Sequence, residues 1–105
     1  MTEAEVLRAL HGVVDPEVGV NIVDLGLVYS TEIANRRVRI VMTMTTPACP
    51  MQSYLAEQVR EAILMQMEDA EEVEVALVWD PPWSPQMISE SGRRQLGWPT
   101  KDSGA

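Results

Sequence analysis

The only cysteine of this chain, Cys49, lies in the segment Thr45-Thr46-Pro47-Ala48-Cys49-Pro50. Pro50 suits the first turn of a helix and residues 51–67 carry the periodicity of one, so we expect Cys49 at a helix N-terminus. Unpaired backbone N–H groups and the positive end of the helix dipole favour a thiolate there, and Thr45 and Thr46 add hydroxyl groups beside it. Two interpretations stay open from this position alone: a reactive or metal-binding thiol, and a small buried apolar residue.

Length and charge limit the classes of protein to which the chain can belong. Its 105 residues suffice for one domain, which we place at residues 1–98, followed by a disordered tail at residues 99–105. Acidic side chains outnumber basic ones 16 to 8 and no Lys/Arg cluster occurs, which argues against a nucleic-acid partner. Neither a membrane-length apolar stretch nor a secretion signal is visible, so we expect a cytoplasmic protein that contacts no membrane. One cysteine and one histidine, His11, cannot complete a structural zinc site within one chain.

Hydrophobic periodicity predicts the elements that would position Cys49. Thr2 and Glu5 form a capping-box pattern that starts a first helix, which ends near Gly12. Two half-buried strands follow, joined by the turn Asn35-Arg36. The turn sets a register whose predicted pairs are Ala34–Arg37, Ile33–Val38, Thr31–Ile40, Tyr29–Met42 and Leu27–Met44, with Glu32–Arg39 on the other face.

A second amphipathic helix and a third strand complete the predicted fold. Apolar residues recur with helical spacing at Met51, Leu55, Val59, Ala62, Ile63 and Met67. Alternation then resumes at Val73, Val75, Leu77 and Trp79. We therefore predict an α/β two-layer sandwich, in which helices pack on a small three-stranded mixed sheet made of a hairpin and a right-handed βαβ crossover. The order of the strands in the sheet stays open.

This topology brings the loops after the second and third strands to one edge of the sheet. Cys49 and Asp80 should share that edge with Asp24-Leu25-Gly26, because the first strand runs antiparallel to the second. Ligand sites of open sheets favour such an edge. Asp15-Pro16-Glu17 could direct two carboxylates toward it, although an ordinary polar turn explains the same residues. Asp24 could equally bond backbone amides around Gly26.

The segment from Trp79 to Pro85 is stiff and aromatic. Alternation predicts that Trp79 is buried, whereas Trp83 either covers the sheet edge or recognises a partner. Ser84 and Pro85 are typical of the cap and first turn of a last helix, which would end near Gly97. We predict a partly exposed His11 away from these loops. The sequence contains no motif of a hydrolase or a nucleotide enzyme.

Four ordered motifs, spread over almost the whole chain, resemble the iron-sulfur cluster assembly family of SufT and PaaD-like proteins, which is related to a eukaryotic cytosolic iron-sulfur targeting factor. They are Asp15-Pro16-Glu17, Asn21-Ile22-Val23-Asp24-Leu25-Gly26-Leu27-Val28, Thr45-Thr46-Pro47-Ala48-Cys49-Pro50 and Val78-Trp79-Asp80-Pro81-Pro82-Trp83. The resemblance implies a small α/β domain that helps to mature or deliver iron-sulfur clusters, with Cys49 as its reactive residue. The chain lacks the further cysteine-rich stretch of PaaD-like members, which argues against their specialised role in the phenylacetate pathway.

The leading hypothesis is a non-enzymatic maturation factor in which Cys49 transiently ligates iron or an iron-sulfur cluster, because thiolate sulfur suits both. Its partners would be the assembly machinery and apo client proteins, and a homodimer could supply a second Cys49. The residues that would support this site are Thr45, Thr46, Asp15, Glu17, Asp24 and Asp80. The alternative is a non-metal adaptor that binds client proteins through Trp83 and the shared sheet edge. A thiol enzyme is a third class, for which the sequence shows neither a resolving cysteine nor an evident base.

Overall fold

A computed structural model describes residues 2–45 and 52–97 of the protein. In this part of the chain lie the helices α1 (Glu3–Leu10), α2 (Gln52–Gln66) and α3 (Glu90–Leu96), with a 3₁₀ turn at Pro85–Met87 before α3. The strands β1 (Val28–Ala34), β2 (Arg37–Met42) and β3 (Glu72–Leu77) form one sheet in the order β1-β2-β3. β1 is antiparallel and β3 is parallel to β2. The predicted α/β fold is confirmed, whereas the boundary at residue 98 and the tail at 99–105 lie outside the described residues.

The hairpin of β1 and β2 forms where turn chemistry and cross-strand pattern agree. Asn35 adopts a φ of 58°, which asparagine tolerates better than most residues. Most of the predicted register is confirmed, namely the pairs Ala34–Arg37, Ile33–Val38, Glu32–Arg39 and Thr31–Ile40. The last two predicted pairs are wrong: a bulge between Val28 and Ser30 puts Val28 opposite Met42, and Leu27 bonds the backbone of Thr43. A bulge inserts one extra residue into a strand, and alternation alone does not reveal it.

The core lies between the sheet and the helices α1 and α2. The fully buried positions of β2 alternate along the strand, and α2 buries one face. The cap predicted for α1 is confirmed, because Thr2 Oγ1 accepts a hydrogen bond from the Glu5 N–H over 3.2 Å. Burial of each large aliphatic side chain stabilises the fold by about 1.5–3 kcal/mol, and the core members with no exposed surface include Leu10, Ile22, Leu25, Leu27, Ile40, Leu55 and Ile63.

Two predictions about the chain after β3 are wrong. Trp79 is 41% exposed, because pairing with β2 ends at Val78 and alternation then no longer directs side chains toward the core. Ser84 makes no side-chain cap bond and precedes only the 3₁₀ turn. The cap of α3 is Ser89, whose Oγ accepts from the Gly92 N–H over 3.1 Å. The predicted helix end is confirmed, since Gly97 closes α3 with a φ of 75°.

Candidate functional site

Three chain segments meet at the end of the sheet where β2 and β3 finish. The backbone N–H of Thr43 donates to the carbonyl oxygen of Leu27 over 2.8 Å, and that of Val78 donates to the carbonyl oxygen of Met42 over 2.9 Å. The turn that precedes Leu27 and the proline-rich segment that follows Val78 are thereby held at one edge. The predicted convergence of these described segments is confirmed.

Cys49 and Thr46 belong to residues 46–51, which lie outside the described residues, so their predicted roles stay predictions. The flanks of this segment are described. Met44 is 2% exposed and Thr45 is half-buried, while α2 begins at Gln52 and buries Leu55 within its first turn. Both ends of the segment that carries the cysteine are therefore attached to the hydrophobic core.

Thr43 is a polar residue enclosed at this edge. Its side chain is fully buried, and its Oγ1 has no hydrogen-bond partner among the described residues. A buried hydroxyl group without a partner costs about 1–3 kcal/mol of desolvation free energy.

Asp24 is the centre of a hydrogen-bond network that ties the turn at residues 21–26 to α3. Its Oδ1 accepts from the Ser89 hydroxyl over 2.8 Å, and its Oδ2 accepts from the side-chain amides of Asn21 over 2.7 Å and Gln95 over 3.3 Å. A backbone hydrogen bond adds to this network: the Asp24 carbonyl oxygen accepts from the Ser89 N–H over 2.7 Å. These contacts commit the carboxylate to holding two segments together.

Burial and charge act on Asp24 in opposite directions. Burial raises the pKa of its carboxyl group, but the hydrogen bonds from Asn21 and Ser89, the positive charge of His11 and the bond from Gln95 lower that pKa below its ordinary value of 3.8. The ionised form is therefore favoured in the folded protein. His11, which we predict to be partly exposed, is exposed, and its charge acts on Asp24 in the turn at residues 21–26.

Asp15 organises a turn of its own and is only 1% exposed. Its Oδ1 accepts a hydrogen bond from the Glu17 N–H over 2.9 Å. Its carbonyl oxygen accepts hydrogen bonds from the backbone N–H groups of Val18 over 3.3 Å and Gly19 over 2.7 Å. The Asp15 N–H donates to the carbonyl oxygen of Val20 over 3.0 Å, and this hydrogen bond closes the turn. These bonds are the ones expected of an ordinary polar turn, and Glu17 lies at the surface.

The aromatic loop folds back from β3 onto β1. The indole N–H of Trp83 donates to the carbonyl oxygen of Leu25 over 2.6 Å, and the half-buried ring packs against the core. The Tyr29 hydroxyl donates to the carbonyl oxygen of Pro81 over 2.7 Å and lies 3.7 Å from the sulfur of Met87. Trp83 therefore covers the sheet edge, whereas Asp80 in the same loop is exposed.

Sequence reasoning missed the residues that hold this edge together. Asn21 had a readable signal, because a polar side chain three residues before Asp24 can bond the local backbone. Ser89 had one as well, since serine before a short polar run is typical of a helix cap. Nothing in the sequence connects Ser89 or Gln95 with Asp24, and only the tertiary fold brings them together.

Within residues 2–45 and 52–97, no group of three or more His, Cys, Asp or Glu side chains is arranged to hold a metal ion. None of the helices in that part of the chain has the length and apolar character needed to cross a membrane.

Comparison with known proteins gives consistent matches over most of the chain. A family model described as an iron-sulfur cluster assembly protein matches residues 3–77. The Fe-S protein maturation auxiliary factor SufT of Staphylococcus aureus is 40% identical over 81% of this chain and 97% of its own length. An Fe-S protein maturation auxiliary factor of Porphyromonas gingivalis is 36% identical over 92% of each chain. The crystal structure of a domain of unknown function from Bacillus anthracis superposes with a TM-score of 0.88 at 38% identity, covering 90% of this chain and 91% of that one.

Proposed function

This chain belongs to the family of iron-sulfur cluster assembly proteins, and from that premise we propose that it is a non-enzymatic maturation factor that binds iron or an iron-sulfur cluster transiently through Cys49 and passes it to client proteins. One observation carries the proposal. The family match spans residues 3–77 and so includes the only cysteine of the chain. In this proposal the iron or the iron-sulfur cluster is the cargo that the protein delivers to its clients.

A single thiolate suits transfer better than storage. Iron-sulfur clusters are typically held by four cysteine thiolates, of which one chain of this protein can supply one. The remaining positions stay open to ligands of the donor or the client, so the cluster can be exchanged. Soft sulfur also matches the preference of iron in clusters.

The burial of the described flanks is consistent with a cysteine segment held on a packed domain. Met44 and Leu55 are buried on either side of the cysteine segment, so both of its attachment points belong to the packed domain. In this proposal Thr45 and Thr46 supply hydroxyl groups near the thiolate, and the exposed carboxylates of Asp80 and Glu17 support the site. Asp15 and Asp24 hold the backbone of their turns in this proposal, because their carboxylates accept local hydrogen bonds.

Anaerobic reconstitution of the wild type and the Cys49→Ser variant tests the proposal. Iron and sulfide per chain, visible absorption and oligomer size are measured on the same samples, with far-UV circular dichroism to check folding. We expect uptake by the wild type and none by Cys49→Ser. A control with the thiol moved to an exposed position of α2, Cys49→Ser with Ser53→Cys, should not recover uptake. Equal uptake by wild type and Cys49→Ser would show that Cys49 is not the ligand.

The adaptor hypothesis makes the opposite prediction from the same variants. Trp79 is exposed in the loop that Trp83 anchors, so this loop offers aromatic surface to a partner protein. An adaptor would keep its partner contact in Cys49→Ser and lose it in a loop variant. Failure of the folded wild type to take up iron or sulfide would favour this second function.

A further inference from the structure

The strand β3 forms one edge of the sheet, and the direction of its backbone groups follows from its bonds to the hairpin. The N–H groups of Glu72 and Val78 donate toward β2, to the carbonyl oxygens of Arg36 over 3.4 Å and Met42 over 2.9 Å. Backbone groups alternate in direction along a strand. Among the described strands β3 has only β2 as a neighbour, so the outward N–H and C=O groups are those of Val73, Val75 and Leu77.

We propose that this edge pairs with β3 of a second copy of the chain, antiparallel and with Val75 opposite Val75 of the second copy. In such a pair the outward groups of Val73 meet those of Leu77 of the other copy. All outward-pointing groups of both strands are then satisfied, and the two sheets join into one.

Charge selects this register over its neighbours. A shift that centres the pair on Glu74 would place two Glu74 side chains opposite each other, and like charges in that position destabilise a sheet. A shift that centres it on Ala76 would place Glu72 opposite Asp80. In the proposed register Glu72 faces Val78 and Glu74 faces Ala76, so no carboxylate opposes another.

The side chains on the helix side favour the same pairing. Val75 and Leu77 are half-buried and pack against the core of their own chain. In the proposed register Val75 meets its counterpart and Val73 meets Leu77 of the second copy. The apolar layer beneath the sheet therefore continues from one copy into the other.

The exposed Trp79 gains a contact surface in this arrangement. Trp79 lies just beyond the paired part of β3, and the proposed register continued past Val78 would place it near Glu71 of the second copy. There α2 and the start of β3 enclose a groove of about 310 Å³, lined by Arg60, Leu64, Glu71, Glu72 and Val73. Leu64 is 41% exposed, like Trp79 itself. The groove offers Leu64 as an apolar contact and Arg60 as a cation for the face of the indole ring.

This interface is independent of the cysteine. Antiparallel pairing places the C-terminal ends of the two β2 strands at opposite ends of the joined sheet, and the pairing uses no residue of the segment that carries Cys49. Each chain carries a net charge of −8, so the copies repel each other and added salt should strengthen the dimer by screening.

Sedimentation equilibrium of the full chain over a wide concentration range, at low and high NaCl, tests the proposal. We expect a monomer–dimer equilibrium that salt shifts toward dimer and that Cys49→Ser leaves unchanged. Ala76→Lys should lower the dissociation constant by about tenfold and Ala76→Glu should raise it by about as much, because position 76 faces Glu74 in both symmetric pairs. Ala34→Lys and Ala34→Glu, at an exposed position of β1, serve as controls for the change in net charge.

Trp79→Ala provides a second variant should the substitutions at Ala76 disturb the sheet, and it should also weaken the dimer. A wild type that stays monomeric at every concentration and salt level would overturn the proposal. Variants of Ala76 that behave like those of Ala34 would overturn the register, and a dimer lost in Cys49→Ser would assign the association to the thiol.

Discussion

The hydroxyl group of Ser89 lies 2.8 Å from Oδ1 of Asp24, although the two residues are 65 positions apart in sequence. The same hydroxyl oxygen accepts the Gly92 N–H and so caps α3. One side chain thus starts the last helix and attaches it to the turn at the site edge. The packing is close, since a Cβ atom at Gly92 would lie 3.0 Å from the Asp24 carbonyl oxygen.

Replacing Asp24 by asparagine should lower the free energy of unfolding by about 1–3 kcal/mol. The variant loses the charge that His11 attracts, and its amide can present N–H groups to the donors on Asn21 or Gln95. Urea unfolding followed by circular dichroism measures the effect. Asp69→Asn, at an exposed position, is the control and should change little. Equal stability of the two variants would contradict the proposed role of the network.

The wild type should lose stability at acidic pH in a way that Asp24→Asn does not. The folded-state pKa of Asp24 lies below its ordinary value of 3.8, so its contribution is present above that value and is lost as the pH falls through the folded-state pKa. Unfolding free energies measured from neutral pH down to acid should therefore converge for the two proteins. Parallel curves at all pH values would exclude Asp24 as the responsible group.

Trp83→Phe should lower the free energy of unfolding by about 1–2 kcal/mol, because it keeps the aromatic area but leaves the Leu25 carbonyl oxygen without its donor. Trp79→Phe serves as the matched control. Trp79 is 41% exposed, so its variant should stay within about 0.5 kcal/mol of the monomeric wild type. Dilute samples keep any dimer from contributing. A smaller effect at position 83 than at 79 would argue against the anchoring role of Trp83.

Gly26→Ala should be strongly destabilising, by about 2–4 kcal/mol. Gly26 has a φ of 77°, and a Cβ atom there would lie 2.8 Å from Cβ of Met87. Gly19→Ala isolates the conformational part of this cost, since Gly19 has a φ of 81° with no atom within 4 Å of the added Cβ. The difference between the two melting temperatures reports the overlap with Met87. Equal losses would show that the loop moves aside at little cost.

Thr43→Val should leave stability unchanged or raise it by up to about 1 kcal/mol, because it replaces a buried hydroxyl group that has no partner among the described residues by a methyl group of similar size. Thermal unfolding of the apo protein measures this. Thr43→Ser, which keeps the hydroxyl group but opens a gap, should be less stable than Thr43→Val. The reverse order would mean that the hydroxyl group has a partner beyond the described residues.

Much of the fold could be predicted because local patterns decided it. The capping pair Thr2 and Glu5, the turn at Asn35-Arg36 and the Glu32–Arg39 pair each depend on neighbours that are close in sequence or linked by one short turn. The shared sheet edge followed as well, because the direction of parallel strands allows few alternatives. The family resemblance added the expected cargo and the reactive cysteine, neither of which geometry supplies.

Tertiary contacts decided the details of the site edge. Trp79 and Trp83 are both tryptophans in one short loop, yet Trp79 is exposed while Trp83 is anchored, because the fold places the Leu25 carbonyl oxygen within hydrogen-bond distance of the Trp83 indole. Ser84 and Ser89 both resemble helix caps, and the position of Asp24 favours Ser89. In each case two residues of the same type compete for one role. Local sequence preference does not distinguish the two residues of each pair. Which of them makes the contact depends on the partner that the fold brings close from a distant part of the chain.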